Sequence, residues 1–160
     1  MFPPETAHYL SLNALKTLSF LHFKEARPIV SDNIEILGLD FQNRLGLAAG
    51  MDKNADYINS LSYLGFGFLE LGTLTPRAQS GNIKPRLFRL RDERSLINNM
   101  GFNNKGIEHA VLKIKNSMSK AVIGLSIGKN QETPLEKALE DYLFCLEKAY
   151  PVCDYVAVNI

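Results

Sequence analysis

The chain has 160 residues, 46% of them hydrophobic and 22% charged, with a formal net charge of +1 at pH 7. That length bounds one domain able to bury a real core, and the near-neutral charge argues against a nucleic-acid-binding protein, which would usually show a basic face. No apolar run approaches the roughly 20 residues that span a bilayer, and the first residues do not read as the basic start and apolar block of a signal peptide.

In chain order, residues 5–23 predict an amphipathic helix, with Ala7, Leu10, Ala14, Leu18 and Leu21 at spacings of three and four and Leu12 and Leu15 beside them. Pro3 and Pro4 suit its start. Residues 24–33 read as a linker carrying Arg27-Pro28 and Ser31-Asp32-Asn33, and 34–41 as a short hairpin with Gly38 near its turn. The run LGLAA (45–49) predicts a strand, followed by a helix over about 55–64 with Asn54 as N-cap. Ile58, Leu61 and Leu64 form that helix's expected buried face, and Gly65 follows it. Residues 66–73 predict a second strand, and 86–98 a β-excursion with charge at its tip. A helix over about 104–118 places Ile107, Ala110, Val111 and Ile114 on one face. Residues 121–128 predict a third strand. Thr133-Pro134-Leu135-Glu136 then reads as a capping box opening a helix to about 149 through Leu135, Leu139, Tyr142 and Leu146. Residues 155–160 predict a fourth strand.

Alternating helices and continuously apolar strands imply a parallel sheet covered by helices. Two architectures compete: an open doubly wound sheet, and a (β/α)₈ barrel cut short. A barrel needs roughly 250 residues, so four main strands make about half of one. The chain stops inside a strand, which favours the truncated α/β barrel. Residues 1–30 are then expected to be a helical extension with its linker, and 31–160 the first half of the barrel.

In parallel α/β folds, ligands bind where strands end. Those positions here hold Ala49-Gly50-Met51-Asp52-Lys53, then Gly72-Thr73, then Ser126 to Asn130, then Asn159. Glycine and small residues let a flat ligand approach the backbone, and Lys53 is a cation suited to an electron-rich ring or a carboxylate. Four asparagines lie in the seven residues Asn98-Asn99-Met100-Gly101-Phe102-Asn103-Asn104. Turn and cap needs explain one or two; amides in excess of that suit a planar, imide-like ring. The set fits a flavin and an anionic substrate, and no His, Asp or Glu cluster has metal-ligand spacing. His8, His22 and His109 lie on helical patterns as surface or packing residues. Cys145 and Cys153 read as structural thiols in a reducing, cytoplasmic setting.

The runs LGLAAGMDKN, GFGFLELGTLTPRAQSGNIKPRLFRL, INNMGFNNKG and IGKNQETP resemble, in this order, the dihydroorotate dehydrogenase family, and most of all its quinone-linked class 2 branch. The resemblance implies a (β/α)₈ barrel with FMN at the carboxyl ends of its strands, and oxidation of dihydroorotate to orotate in pyrimidine synthesis. Electrons would pass to a membrane quinone entering past residues 5–23, which would lie on the cytoplasmic side of the inner membrane. Ala49, Gly50, Met51, Asp52 and Lys53 would line FMN, as would Thr73, Ser126 and Asn159. Lys53, Asn98, Asn99, Met100, Gly101, Phe102 and Asn159 would bind substrate. Ser126 stands where the family has asparagine, and Asn99 where arginine is common. The resemblance puts the catalytic base, a serine, beyond Ile160, so the 160 residues alone are expected to be inactive and to bind FMN poorly. A non-catalytic binding or assembly module, and another flavin-dependent barrel oxidoreductase, are the alternatives.

Overall fold

The computed structural model describes residues 2–21 and 32–160. His22, the end of the first predicted helix, residues 24–31 of the predicted linker and the Leu21 side chain lie outside that description.

The first helix, α1 (Pro4–Leu21), is followed by a hairpin of β1 (Ile34–Ile36) and β2 (Leu39–Phe41). Its turn residues Leu37 and Gly38 both have positive φ, 53° and 79°. Two positive φ values are the signature of the tight turn that favours Asn-Gly. Leu37 therefore holds a strained backbone while its side chain is 99% exposed. Replacing it with asparagine is expected to stabilise the protein by about 0.5–1 kcal/mol in urea unfolding, because asparagine tolerates that conformation better.

The body then alternates β3 (Gly46–Leu47), α2 (Ile58–Ser62) and β4 (Phe68–Leu74). A second hairpin, β5 (Leu87–Leu90) and β6 (Ser95–Asn98), is the expected excursion, with Arg91 to Arg94 at its tip. After it come α3 (Ile107–Lys115), β7 (Val122–Ile127), α4 (Ala138–Ala149) and β8 (Tyr155–Val158). Strands β3, β4, β7 and β8 form one parallel sheet in that spatial order. Each strand lies beside its predecessor, so the sheet winds in one direction. A doubly wound sheet would reverse its order at a switch point; a (β/α)₈ barrel does not. The described fold is a four-strand parallel α/β segment with barrel winding, as expected.

Every residue of β7 is buried, the mark of a strand covered on both faces. Leu69, Leu71 and Leu74 of β4 and Leu125 and Ile127 of β7 pack with Ile107, Ala110 and Ile114 of α3 and with Ile58 and Leu61 of α2. Fully burying such side chains contributes about 1.5–3 kcal/mol each. Gly124 faces the Tyr155 ring so closely that a methyl group there would collide with it. Tyr155 in turn donates its hydroxyl to Glu70 at 3.1 Å, tying β8 across β7 to β4.

Several local expectations are corrected. The helix predicted over 55–64 is only Ile58–Ser62, and Asn54 does not cap it. The Asp52 carboxylate takes the N–H groups of Asn54, Asp56 and Tyr57, holding 52–57 as a tight loop, and Asn54 turns outward to accept the Lys105 N–H at 2.9 Å. Leu64, expected inside, is exposed. The capping box at Thr133 does not form: a 3₁₀ turn, Leu135–Lys137, precedes α4, and the Thr133 hydroxyl accepts from Arg77. The buried stripe of α4 is Asp141, Cys145 and Ala149, whereas Leu139 is 66% exposed and Leu135 and Leu146 are exposed with it. Small residues bring the helix close to the sheet, and Asp141 goes inward because its carboxylate accepts the Asn130 N–H at 2.8 Å. The shorter α3 has one cause too: Asn104, placed in the predicted helix, accepts the Gly106 N–H ahead of its first turn.

Helix α1 docks through Leu12 and Ser19, whose hydroxyl donates to Ser60 at 2.9 Å. Leu10 and Ala14 of its predicted stripe point to solvent.

Candidate functional site

Because the four strands run parallel and in order, their carboxyl ends open on one side. Backbone bonds lock these ends together: Gly50 N–H to Gly72 O at 2.8 Å, Gly72 N–H to Asp52 O at 3.0 Å, Gly128 N–H to Leu74 O at 2.8 Å and Asn159 N–H to Ile127 O at 2.9 Å. The Gly72–Thr73 peptide is cis. At the centre, the Thr73 hydroxyl takes the Asn159 amide at 2.9 Å and lies 2.9 Å from the Ser126 hydroxyl. Thr73 and Ser126 are 6% and 3% exposed, so they form the floor, with Ser126 the deeper.

The loop after β3 rises from this floor. Gly50 has φ +103° and the nearest atom to an added Cβ there would be the Lys53 ammonium, 3.9 Å away, so its backbone faces open space. Asp52 anchors the loop: burial pushes its carboxyl above the ordinary 3.8, against the lowering effect of its three backbone hydrogen bonds. Lys53 is half-buried. Burial first, then the nearby Arg86 guanidinium, pushes its ammonium below the ordinary 10.5, and Glu5 pulls the other way. Among the described residues no carboxylate lies within ion-pair distance of Lys53. A buried cation without a counter-charge is costly unless a ligand supplies one.

Ala49, Gly50, Met51, Asp52, Lys53, Asn98 and Met100 line one cavity of about 260 Å³, shared with His8, Tyr9 and Leu12 of α1 and Leu87 and Leu96 of the hairpin. Gly101, Phe102 and Asn159 line a second, of about 530 Å³, with Gln79, Asn82, Lys129 and Tyr142. Phe102, at φ +50°, reaches over Gly128 between floor and loop. The predicted residues thus converge on one mouth with two openings, and Thr73 and Ser126 sit beneath. Asn99 is the outlier: it lines neither cavity, and Asn82 grips its side chain at 2.9 Å.

The asparagine excess divides by task. Asn104 braces Thr75, Gly106 and the Phe102 carbonyl. The Asn98 carbonyl closes a turn on the Met100 N–H at 3.0 Å, which leaves its amide N–H groups to the cavity. Asn103 keeps a buried side-chain oxygen without a hydrogen-bond partner.

Several site residues were not singled out from sequence. His8 lines the first cavity instead of packing at the surface, and burial, then the Lys53 charge, lowers its pKa below 6.5. Arg86 is buried under the 98–102 loop, and its hydrogen bond holds the Glu5 carboxyl below the ordinary 4.5 despite burial. Nothing in helix or strand periodicity marks a charge whose partner is 81 positions away. Both cysteines lie away from the mouth; burial pushes Cys145 up to about 12 and Cys153 up to about 11, and both thiols are free. Among the described residues no group of His, Cys, Asp or Glu is arranged to hold a metal ion.

The open backbone at Gly50, the hydroxyl-amide floor and the unpaired Lys53 fit a flat, polar-edged cofactor beside an anionic ligand. The family model described as dihydroorotate dehydrogenase matches residues 32–160. The chain is 54% identical over 157 residues to a dihydroorotate dehydrogenase (quinone) of Nitrosospira multiformis, covering 98% of this chain and 45% of that protein. A protein of the same name from Saccharophagus degradans is 51% identical over 158 residues, at 98% and 47% coverage. Among solved structures, the Eimeria tenella enzyme in complex with ferulenol superposes with a TM-score of 0.82 at 33% identity, over 99% of this chain and 44% of that one. Its ligand-free form gives 0.83 at 34% identity, over 98% and 45%. The chain spans a little under half the length of the relatives it matches.

Proposed function

The chain belongs to the dihydroorotate dehydrogenase family, and we propose that it forms the flavin-facing part of a quinone-linked enzyme that oxidises dihydroorotate to orotate in pyrimidine synthesis. One observation carries the reading: Lys53, half-buried and without a carboxylate partner among the described residues, stands between a glycine-opened strand end and an amide-rich loop. Ala49 to Lys53, Thr73 and Asn159 would hold FMN, with Ser126 supporting them from below. The chemistry FMN supplies when bound is two-electron acceptance from the substrate C–H bond.

The chain's own residues do the placing. Lys53 neutralises the substrate carboxylate, and the Asn98 amide and the backbone of Met100 to Phe102 read the ring edge. Such fixed geometry contributes much of an enzymatic rate. Phe102 shields the mouth from water. The Thr73 and Ser126 hydroxyls are buried against each other and Thr73 also takes the Asn159 amide, so neither is assigned the base. Proton abstraction falls to a group outside these residues. Quinone would enter between α1 and the second hairpin, where Tyr9, Leu12, Leu87 and Leu96 make an apolar wall with His8. The exposed Leu10 and Phe20 of α1 suit a helix lying in a bilayer interface, which would place the protein peripherally on the cytoplasmic side of the inner membrane. No helix among the described residues is long and apolar enough to cross a membrane.

Two preparations test this. The purified 160-residue chain is expected to lack flavin absorbance and dihydroorotate-dependent dye reduction. A chimera completing it with the remainder of the Nitrosospira multiformis relative is expected to show both. A chimera that holds FMN yet reduces no dye with dihydroorotate overturns the reading.

A further inference from the structure

Arg86 is the most heavily engaged side chain beneath the mouth, and only 6% of it is exposed. Its Nε and Nη2 grip the two Glu5 oxygens at 3.2 and 2.8 Å, a bidentate pair that ties β5's approach to the first turn of α1. Its Nη1 donates to the carbonyls of Ser80 at 2.6 Å, Asn82 at 2.9 Å and Met100 at 3.5 Å. Met100 is the middle of the 98–102 loop. Asn82 adds its own N–H to the Met100 carbonyl at 3.0 Å and its amide to Asn99. One guanidinium therefore joins the helix to the backing of that loop.

The coupling follows from the fixed fork of a guanidinium. While Glu5 is seated, its carboxylate balances the buried cation and aims Nη1 at the three carbonyls. When α1 lifts, Glu5 leaves with it, because Glu5 lies one residue inside the helix. Arg86 would then be a buried charge without a counter-charge, which is strongly unfavourable. It must swing toward water, so the carbonyls of Ser80 and Asn82 lose this donor and that of Met100 keeps only the Asn82 N–H, on a segment that has itself lost its brace. Lys84, at 3.2 Å from Glu5, cannot substitute: it is largely exposed and contacts none of those carbonyls.

We propose that Glu5 is a positioning residue which, through Arg86, makes the seating of α1 and the ordering of the 98–102 loop a single event. The functional side of this inference rests on the reading of that loop as the substrate-binding one. Coupling of this kind is reciprocal, so a ligand ordering the loop holds α1 down, and release of α1 weakens the ligand.

Hydrogen exchange on the full 160-residue chain tests the latch without cofactor or turnover. In Glu5→Gln, which keeps shape and removes charge, amides in 79–82 and 98–102 are expected to exchange about tenfold faster. Those of β4 and β7 should hold their rates, and Lys84→Met should leave the loop unchanged. Faster exchange confined to α1, or equal acceleration across β4 and β7, overturns the proposal. In the chimera, Glu5→Gln should raise KM for dihydroorotate about tenfold with kcat within about twofold, the pattern of lost binding order. A fall in kcat at unchanged KM also overturns it. If the chimera does not oxidise dihydroorotate at all, the functional reading fails while the exchange result still decides the latch.

Discussion

Replacing Asp52 with alanine is expected to lower the unfolding free energy by about 3 kcal/mol, a fall of roughly 10 °C in midpoint for a chain of this size. Three backbone N–H groups, of Asn54, Asp56 and Tyr57, end on this one carboxylate, the last at 2.7 Å. Alanine strands all three in a loop too tight to turn them outward. Asp52→Asn keeps the size but turns one of the two acceptor oxygens into an N–H donor. That loss is the same at every pH, so only the pH-dependent part of its difference from wild type reports the charge. The folded carboxyl titrates above 3.8 because burial outweighs its hydrogen bonds. The native state thus holds that proton more tightly than the unfolded chain. Its contribution is complete below the ordinary value and is lost as pH rises through the raised one. Wild type should therefore lose ground against Asp52→Asn between about pH 4 and pH 7 in urea titrations. A difference that stays level over that range, or an alanine variant within about 1 kcal/mol of wild type, overturns this account.

Lys53→Met in the chimera is expected to weaken orotate binding about 30-fold or more, since truncating one partner of a largely desolvated charge pair costs about 2 kcal/mol or more. The variant keeps an unbranched apolar stem and removes the terminal ammonium. Burial and Arg86 already press the ammonium to give up its proton, and an anion reverses that pressure. The folded chain itself should become slightly more stable, because methionine suits the same surroundings without a charge to desolvate. Calorimetric titration with orotate and thermal unfolding together separate the two effects. Unchanged affinity would remove Lys53 from the substrate site.

The strand ends were legible because their information is local. LGLAA announces a strand, although only Gly46–Leu47 of it pairs, half-buried, with Leu45 and Ala48 exposed. Small residues followed by charge at 48–53 announce the loop at its carboxyl end. Parallel order then brings Thr73, Ser126 and Asn159 together, since the helix after each strand returns the chain so that every strand ends on the same side. What could not be read depends on partners distant in sequence. Asn54 looks like a cap until the Asp52 carboxylate claims the N–H groups first. The apolar spacing of Leu135, Leu139 and Leu146 outweighs Asp141, Cys145 and Ala149 in any periodicity count, yet close approach to the sheet selects the smaller set. Glu5 and Arg86 lie in a helix and a charged excursion where each reads as a solvated residue. Their pairing exists only once α1 has folded back over the second hairpin.

The one-way winding of the sheet has a consequence for how the protein is made. β3, β4, β7 and β8 are neighbours in space in the order in which a ribosome releases them. Each strand emerges to find the edge of its predecessor already waiting, so no pairing has to wait for a distant segment. Folding domains assemble as they are synthesised, and pairings between consecutive units keep the entropy of loop closure small. The floor would be laid down stepwise, Thr73 first, Ser126 beside it and Asn159 last. A slowed-translation experiment should then find protease-resistant β3–β4–β7 intermediates before residues 155–158 have left the ribosome.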